Sequence, residues 1–321
     1  MSLETEAVID RRRLRRSLSL WRTLAILGVV AVLAAAFAGS DLLKLGESQQ
    51  IARITVEGLV TESRDQLRMI KKLEDDKKVA GVIVFVNSGG GTTTGGEALY
   101  EALRKLSKKK PVVAQFGTVA ASAAYIAGLG TDHIVARGNS ITGSMGVIFQ
   151  WAEVSGLLDK VGVKVSEIKT GPLKANPSLF APIDEPGRKA AQAMVEDGFA
   201  WFQGLVTSRR GVDVAMVPGL KEGRVFSGRE ALSYKLVDEI GGESEAVTWL
   251  EGKGVPKQAK VVDWKPKPES SWGGLTGSIT SAAVEALGLE NTILARIIGQ
   301  DGLFGRLGLD GLVSVWQPAE N

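Results

Sequence analysis

Val79-Ala80-Gly81-Val82-Ile83-Val84-Phe85-Val86 is an almost unbroken apolar run, and it constrains the fold more than any other segment. A strand with apolar residues on both sides is buried on both faces, which is the situation inside a parallel sheet. The segments around the run agree. Ile51 to Val56 alternates apolar and polar residues, as a half-buried strand does. A charged helix is expected from Asp65 to Asp76, with Leu67, Ile70 and Leu73 on its apolar side, and another from Glu97 to Lys108. Pro111 to Phe116 is the next strand, Ser122 to Gly130 the next helix, and His133 to Ala136 the strand after it. Val147 to Gln150 and Val163 to Ile168 come next as further strand-like runs, then a long amphipathic helix from Asp184 to Ser208 with Pro186 in its first turn. Strand–helix alternation of this kind implies an α/β core with parallel strands.

The chain ends are different. Arg11, Arg12, Arg13, Arg15, Arg16 and Arg22 crowd the N-terminus, succeeded by an uncharged run from Leu24 to Gly39 with Trp21 at its start. Basic residues before an apolar run keep the N-terminus in the cytoplasm and send the downstream chain across the membrane. The run is about 16 residues, short of the ~20 that span a bilayer, and extends with its flanks and a snorkelling Arg22. An uncleaved anchor over residues 21–43 is the favoured reading, with residues 1–20 cytoplasmic. The rival is a cleaved signal peptide, because Ala36-Phe37-Ala38 fits a signal-peptidase site. The Arg cluster lacks interleaved aromatics, so no nucleic-acid partner is expected. Residues 44–255 make the folded domain. Beyond a Lys265-Pro266-Lys267-Pro268 linker the Gly-rich end suggests short helices, giving a C-terminal extension over 256–321.

Chemistry is limited by what is missing. The sequence has no cysteine and one histidine, His133. That removes cysteine nucleophiles, disulfides and Cys-rich metal sites. Ser122 stands out in a run of small residues, Gly117 to Ala127, near a strand-to-helix junction. A serine there has its hydroxyl near the positive end of a helix and near free backbone N–H groups, a common presentation of a nucleophile. The alternative is a helix packed tightly through Ala and Gly. A helix from Ser122 to Gly130 separates Ser122 from His133 by more than hydrogen-bond reach, so His133 reads as structural and the base for Ser122 as a lysine. Lys169-Thr170-Gly171-Pro172-Leu173-Lys174 offers two in a mostly apolar setting. A lysine has to be desolvated to act as a base near neutrality. Ser88-Gly89-Gly90-Gly91 lacks the spacing of nucleotide-binding loops; glycine N–H groups after a buried strand suit an oxyanion instead.

Six segments then occur in order: Asn87 to Gly91, Ala120 to Tyr125, Thr142 to Val147, Lys169 to Lys174, Gly223 to Gly228 and Leu236 to Gly241. Together they resemble the signal peptide peptidase A family, also called protease IV, in its short single-repeat form, over roughly Ile51 to Leu250. The resemblance implies a Ser-Lys dyad serine peptidase on a Clp-protease/crotonase-like fold. It places the nucleophile at Ser122, the general base at Lys174, the oxyanion glycine at Gly91 and a base-orienting serine at Ser144. It implies a groove lined by Gly90, Met145, Gly146 and Val147, poor in charge and suited to small or apolar side chains. It also implies a homo-oligomeric ring whose dyad is shared between protomers, held at the inner membrane with the catalytic domain on the exported side. Signal-peptide remnants and other hydrophobic peptides are the expected substrates, with no metal or cofactor. Two motifs depart from the family pattern: Gly89 stands where proline is usual, and Ala123-Ala124 where Gly-Gly is usual. The rival readings are a non-catalytic peptide-binding or membrane scaffold on the same fold and a crotonase-type acyl-CoA enzyme.

Overall fold

The structure is a computed structural model that describes residues 21–30, 49–266 and 313–315. Residues 21–30 form an exposed helix, α1, in a unit of their own that spans Met1–Ser48. Among the described residues no helix is long and apolar enough to cross a membrane. The expected cytoplasmic segment and most of the expected anchor lie outside the described residues.

The second unit, Gln49–Asn321, is built on one nine-stranded sheet. Its main path runs β6 (Val225–Ser227), β5 (Ile141–Gly143), β3 (Val112–Ala121), β2 (Val79–Thr92), β1 (Gln50–Val60), β8 (Lys260–Asp263). A branch adds β4 (His133–Ala136) beside β3, and β7 (Glu239–Ile240) beside β4. These pairings are parallel except that of β5 with β6. A last strand, β9 (Val313–Val315), pairs antiparallel with the end of β2. The sheet is therefore mixed. The expected parallel core is present, with antiparallel additions at one edge and at the strand ends.

Two-sided burial of the central strands explains the apolar run. On one face Ile54, Val56, Val84, Val86, Ala114 and Phe116 are buried beneath α2 (Arg64–Asp75), α3 (Thr93–Ser107), α4 (Ala123–Leu129) and the C-terminal half of α6 (Glu185–Arg210). On the other, Ile51, Ile83, Val113 and Val135 pack against Ala246 and Leu250 of α8 (Glu243–Gly252). α6 is fixed at its end by Arg210, whose guanidinium donates to Asp238 Oδ1 at 2.7 Å and to the Lys235 carbonyl at 2.8 Å. His133 has the structural role expected of it. Its ring stacks on Trp249 with centroids 5.0 Å apart, and its Nε2 lies 3.1 Å from Glu239.

The following expectations are corrected. The glycine segment does not follow the buried strand but belongs to it: β2 continues to Thr92, with Leu59 and Val60 of β1 paired to Gly90 and Gly91. Val163 to Ile168 is not a strand. Among the described residues no strand pairs with it, and Val163, Val165 and Ile168 face solvent. In the C-terminal extension the described residues form strands β8 and β9; the rest of the segment in which short helices are expected lies outside the described residues.

Candidate active site

Ser122 sits between the end of β3 and the start of α4, the junction expected from the sequence. Its backbone is strained. It has φ 59 and ψ −123, a conformation that L residues rarely adopt, and its side chain makes no capping bond to α4. The surroundings hold it there. Its N–H donates to the Gly143 carbonyl at 2.9 Å, and its carbonyl accepts from Ile126 at 3.0 Å. α4 itself is anchored by Tyr125, fully buried, whose hydroxyl donates to the Leu236 carbonyl at 2.7 Å. Burial pushes the Tyr125 hydroxyl pKa well above its ordinary value, so it stays protonated and keeps donating.

The neighbouring turn is built the same way. Ser144 comes directly after β5 with φ 51, and its N–H donates to the Arg224 carbonyl at 2.9 Å. Gly143 has φ +85, and a Cβ there would lie 2.7 Å from the Phe226 ring. Only glycine lets β6 approach β5 this closely. Thr142 Oγ1 donates to the Ala120 carbonyl at 2.7 Å, joining the two strands just below both serines.

Gly91 lies near the end of β2, three residues beyond Ser88, the last residue of β2 paired with β3. A Cβ on it would come within 1.9 Å of the Val60 carbonyl oxygen, so the β1–β2 approach requires glycine. Ser88 fixes the segment. Its hydroxyl donates to the Gly58 carbonyl at 2.6 Å and accepts from the Gly90 N–H at 3.1 Å. The segment is thus held by a side chain next to the position where the related pattern has proline. Asn87 adds a second tie, its Oδ1 accepting from Thr118 N–H at 3.0 Å. The Ala123 and Ala124 methyls are buried in the helix-covered core and do not line the cleft beside Ser122.

That cleft holds about 400 Å³. Ser122, Ser144, Met145, Gly146 and Val147 line it, so the serine expected as nucleophile, the serine expected to orient the base and three of the four expected groove residues are brought together, while Gly90 is not among the lining residues. The sequence pattern did not disclose its other wall: Gln192, Val195, Glu196 and Phe199 from α6, and Lys221 and Glu222. Only the amphipathic period of α6 hinted at them. The buried Met145 and Val147 and the half-buried Val195 and Phe199 give the cleft an apolar interior, while Glu196, Lys221 and Glu222 are exposed. The cleft is therefore apolar inside and charged at its outer edge.

Lys174 is not part of that cleft in its own chain. It is exposed, on a turn in which its N–H donates to the Gly171 carbonyl at 3.1 Å. Lys169 is paired with Glu167 at 2.6 Å. The lysine segment is tied down at its far end, where Asn176 Nδ2 donates to Asp184 Oδ1 at 2.6 Å. Asp184 caps α6 by accepting from the Gly187 N–H at 2.8 Å. That backbone bond, and then the Asn176 amide, lower the Asp184 carboxyl pKa. Among the described residues no cluster of His, Cys, Asp and Glu could hold a metal ion.

Comparison with known proteins agrees with the geometry. The profile of peptidase family S49 matches residues 104–255, and that of Clp protease matches residues 49–141. A protein of Synechocystis sp. assigned as a protease is 35% identical over 207 residues, 64% of this chain and 75% of that one. A protein of Enterococcus faecium assigned as a signal peptide peptidase SppA is 31% identical over 278 residues, 81% of this chain and 78% of that one. Protease 4 of Haemophilus influenzae is 33% identical over 212 residues, 63% of this chain and 34% of that one. The core has the Clp-protease-like α/β fold, and the chain belongs to peptidase family S49 as a serine peptidase of the SppA and protease 4 kind.

Proposed function

We propose that the chain is a membrane-anchored endopeptidase that cuts hydrophobic peptides, signal-peptide remnants among them, with Ser122 as nucleophile and Lys174 of a neighbouring protomer as general base. The observation that carries this reading is the strained Ser122 at the head of α4, facing a cleft with an apolar interior. Strain of this kind persists where the surroundings over-determine it, and it clusters at active sites. Ser122 Oγ attacks the peptide carbonyl while the lysine amine takes its proton. Backbone N–H donors at Gly91 stabilise the oxyanion. The lysine then gives the proton to the leaving amine, and water releases the acyl group from Ser122. Ser144, beside Ser122 in the cleft, is suited to orient the lysine.

Two features support a base from another protomer. Lys174 is exposed and lies outside the cleft of its own chain. The segment that carries it presents Leu157, Val161, Ile168, Leu173, Leu179 and Phe180 to solvent, an apolar surface that a second copy would cover. The same reading implies a ring of such copies, anchored by the N-terminal segment at the cytoplasmic membrane on the exported side.

The test is hydrolysis of fluorogenic peptides with Leu or Ala before the scissile bond by the full chain. Ser122→Ala and Lys174→Ala should each lower kcat/KM by at least about 10³. Activity surviving both substitutions contradicts the dyad. A wild-type chain that binds the peptides and never cuts them fits the scaffold reading instead.

A further inference from the structure

The face of the sheet that carries α8 holds two cavities of its own. α8 covers one end of this face, over Ile51, Ile83, Val113 and Val135. Side chains alternate between the faces of a strand, so those two residues further on, Arg53, Phe85, Gln115 and Arg137, continue the same face. They line cavities of about 430 and about 370 Å³, and Phe85 and Gln115 are common to both. Gln115 is 5% exposed, and its Oε1 has no hydrogen-bond partner among the described residues. No other buried side-chain nitrogen or oxygen among the described residues is left in this way. An unmade bond costs a buried group its full desolvation, so an acceptor left over between two cavities points to a donor from outside the chain.

The two cavities differ in charge. Glu57, Glu243 and Asp263 line the first, with Arg53 and Lys265. Arg53 is engaged by Glu243 at 2.5 Å and Asp263 at 2.6 Å, whereas Glu57 is exposed and has no ion pair among the described residues. Arg137 is the one charged residue that lines the second cavity, and it too has no ion pair among the described residues. Glu245, which acts on Arg137 at longer range, accepts from the Gly242 N–H at 2.6 Å. Thr55 is in register with Phe85, Phe85 with Gln115, and Gln115 with Val135. Glu57 and Arg137, each two residues beyond that row, therefore stand about 14 Å apart across three strand spacings. An extended peptide of three or four residues spans about 10–13 Å.

We propose that this face binds short peptides with free termini, the ammonium group at Glu57, a backbone N–H at Gln115 Oε1 and the carboxylate at Arg137. Peptides of this kind are what a peptidase releases, so the site suits products. It shares no lining residue with the Ser122 cleft.

The test is calorimetric titration of trialanine into the full chain carrying Ser122→Ala, with the recovered peptide checked by chromatography. Adding Gln115→Leu or Arg137→Gln should each raise Kd at least about fivefold. N-acetyl-trialanine amide, which lacks both terminal charges, should bind the parent more weakly by a similar factor. Gln115→Leu keeps the volume and removes an amide with an unpartnered carbonyl, so its urea midpoint should not fall. A fall there would make Gln115 a structural residue and overturn its role as acceptor. Equal Kd values in the three proteins, equal affinity for the blocked peptide, or no binding at about 10 mM trialanine would each overturn the site.

Discussion

Gly91, Ser88 and Ser122 do their work through the backbone, and each in a different way. Gly91 is required by the carbonyl of Val60, which leaves no room for a side chain. Ser122 is held at positive φ by the bonds on either side of it. Ser88, buried, is a clasp between Gly58 and Gly90. Replacing Ser88 with alanine leaves the Gly90 N–H without its acceptor, at a cost of about 1–3 kcal/mol. The Ser88→Ala chain should therefore unfold at lower urea concentration. It should also lose kcat more than KM rises, because a loosened glycine segment weakens oxyanion stabilisation while leaving the cleft walls in place. Steady-state kinetics beside urea titrations check both. Unchanged kcat with the expected loss of stability would confine Ser88 to a structural role. At this scale the sequence was informative. Ser122 stood out by its small neighbours near a strand-to-helix junction, whereas Gly91 was singled out only through the family resemblance. The clasp was not readable, because its acceptor on Gly58 is thirty residues away in sequence.

At the scale of elements, the cleft depends on how short pieces are pinned to the sheet. β6 and α7 (Gly228–Ser233) are such pieces, and β6 sets the turn at Gly143 and Ser144. Ser227 joins them. Its hydroxyl accepts from the Glu230 N–H at 3.3 Å, and Glu230 returns the bond to the Ser227 N–H at 3.0 Å, a closed capping box. Ser227→Ala should lower the stability of the fold by about 1 kcal/mol, read by chemical denaturation. No loss would mean that β6 holds its place without the cap. Periodicity found the central strands and helices because their burial patterns are local: β2 reads as one apolar run, and α6 shows Pro186 at its first turn. It failed where pairing decides. Val163 to Ile168 reads like a strand but has no strand partner among the described residues, and β9 pairs with the edge of β2. The α6 wall of the cleft was hidden for a related reason, since which helix turn faces Ser122 is set by tertiary packing alone.

For the whole molecule, one chain brings the proposed nucleophile Ser122 to a cleft and places Lys174 elsewhere, on an exposed turn of an apolar segment. Family membership makes the chain a serine peptidase. The central claim of the account is that the base comes from a second protomer. Mixed assembly of two inactive chains tests it most directly. Ser122→Ala and Lys174→Ala subunits, differently tagged, are co-expressed, and mixed assemblies are isolated by tandem affinity purification and assayed on the fluorogenic Leu/Ala peptide. A shared site regains activity wherever an intact Ser122 of one subunit meets an intact Lys174 of the other, about a quarter of the sites at random mixing. Recovered hydrolysis at roughly that fraction of the wild-type rate is the expected result; mixed assemblies as inactive as either parent would contradict the account.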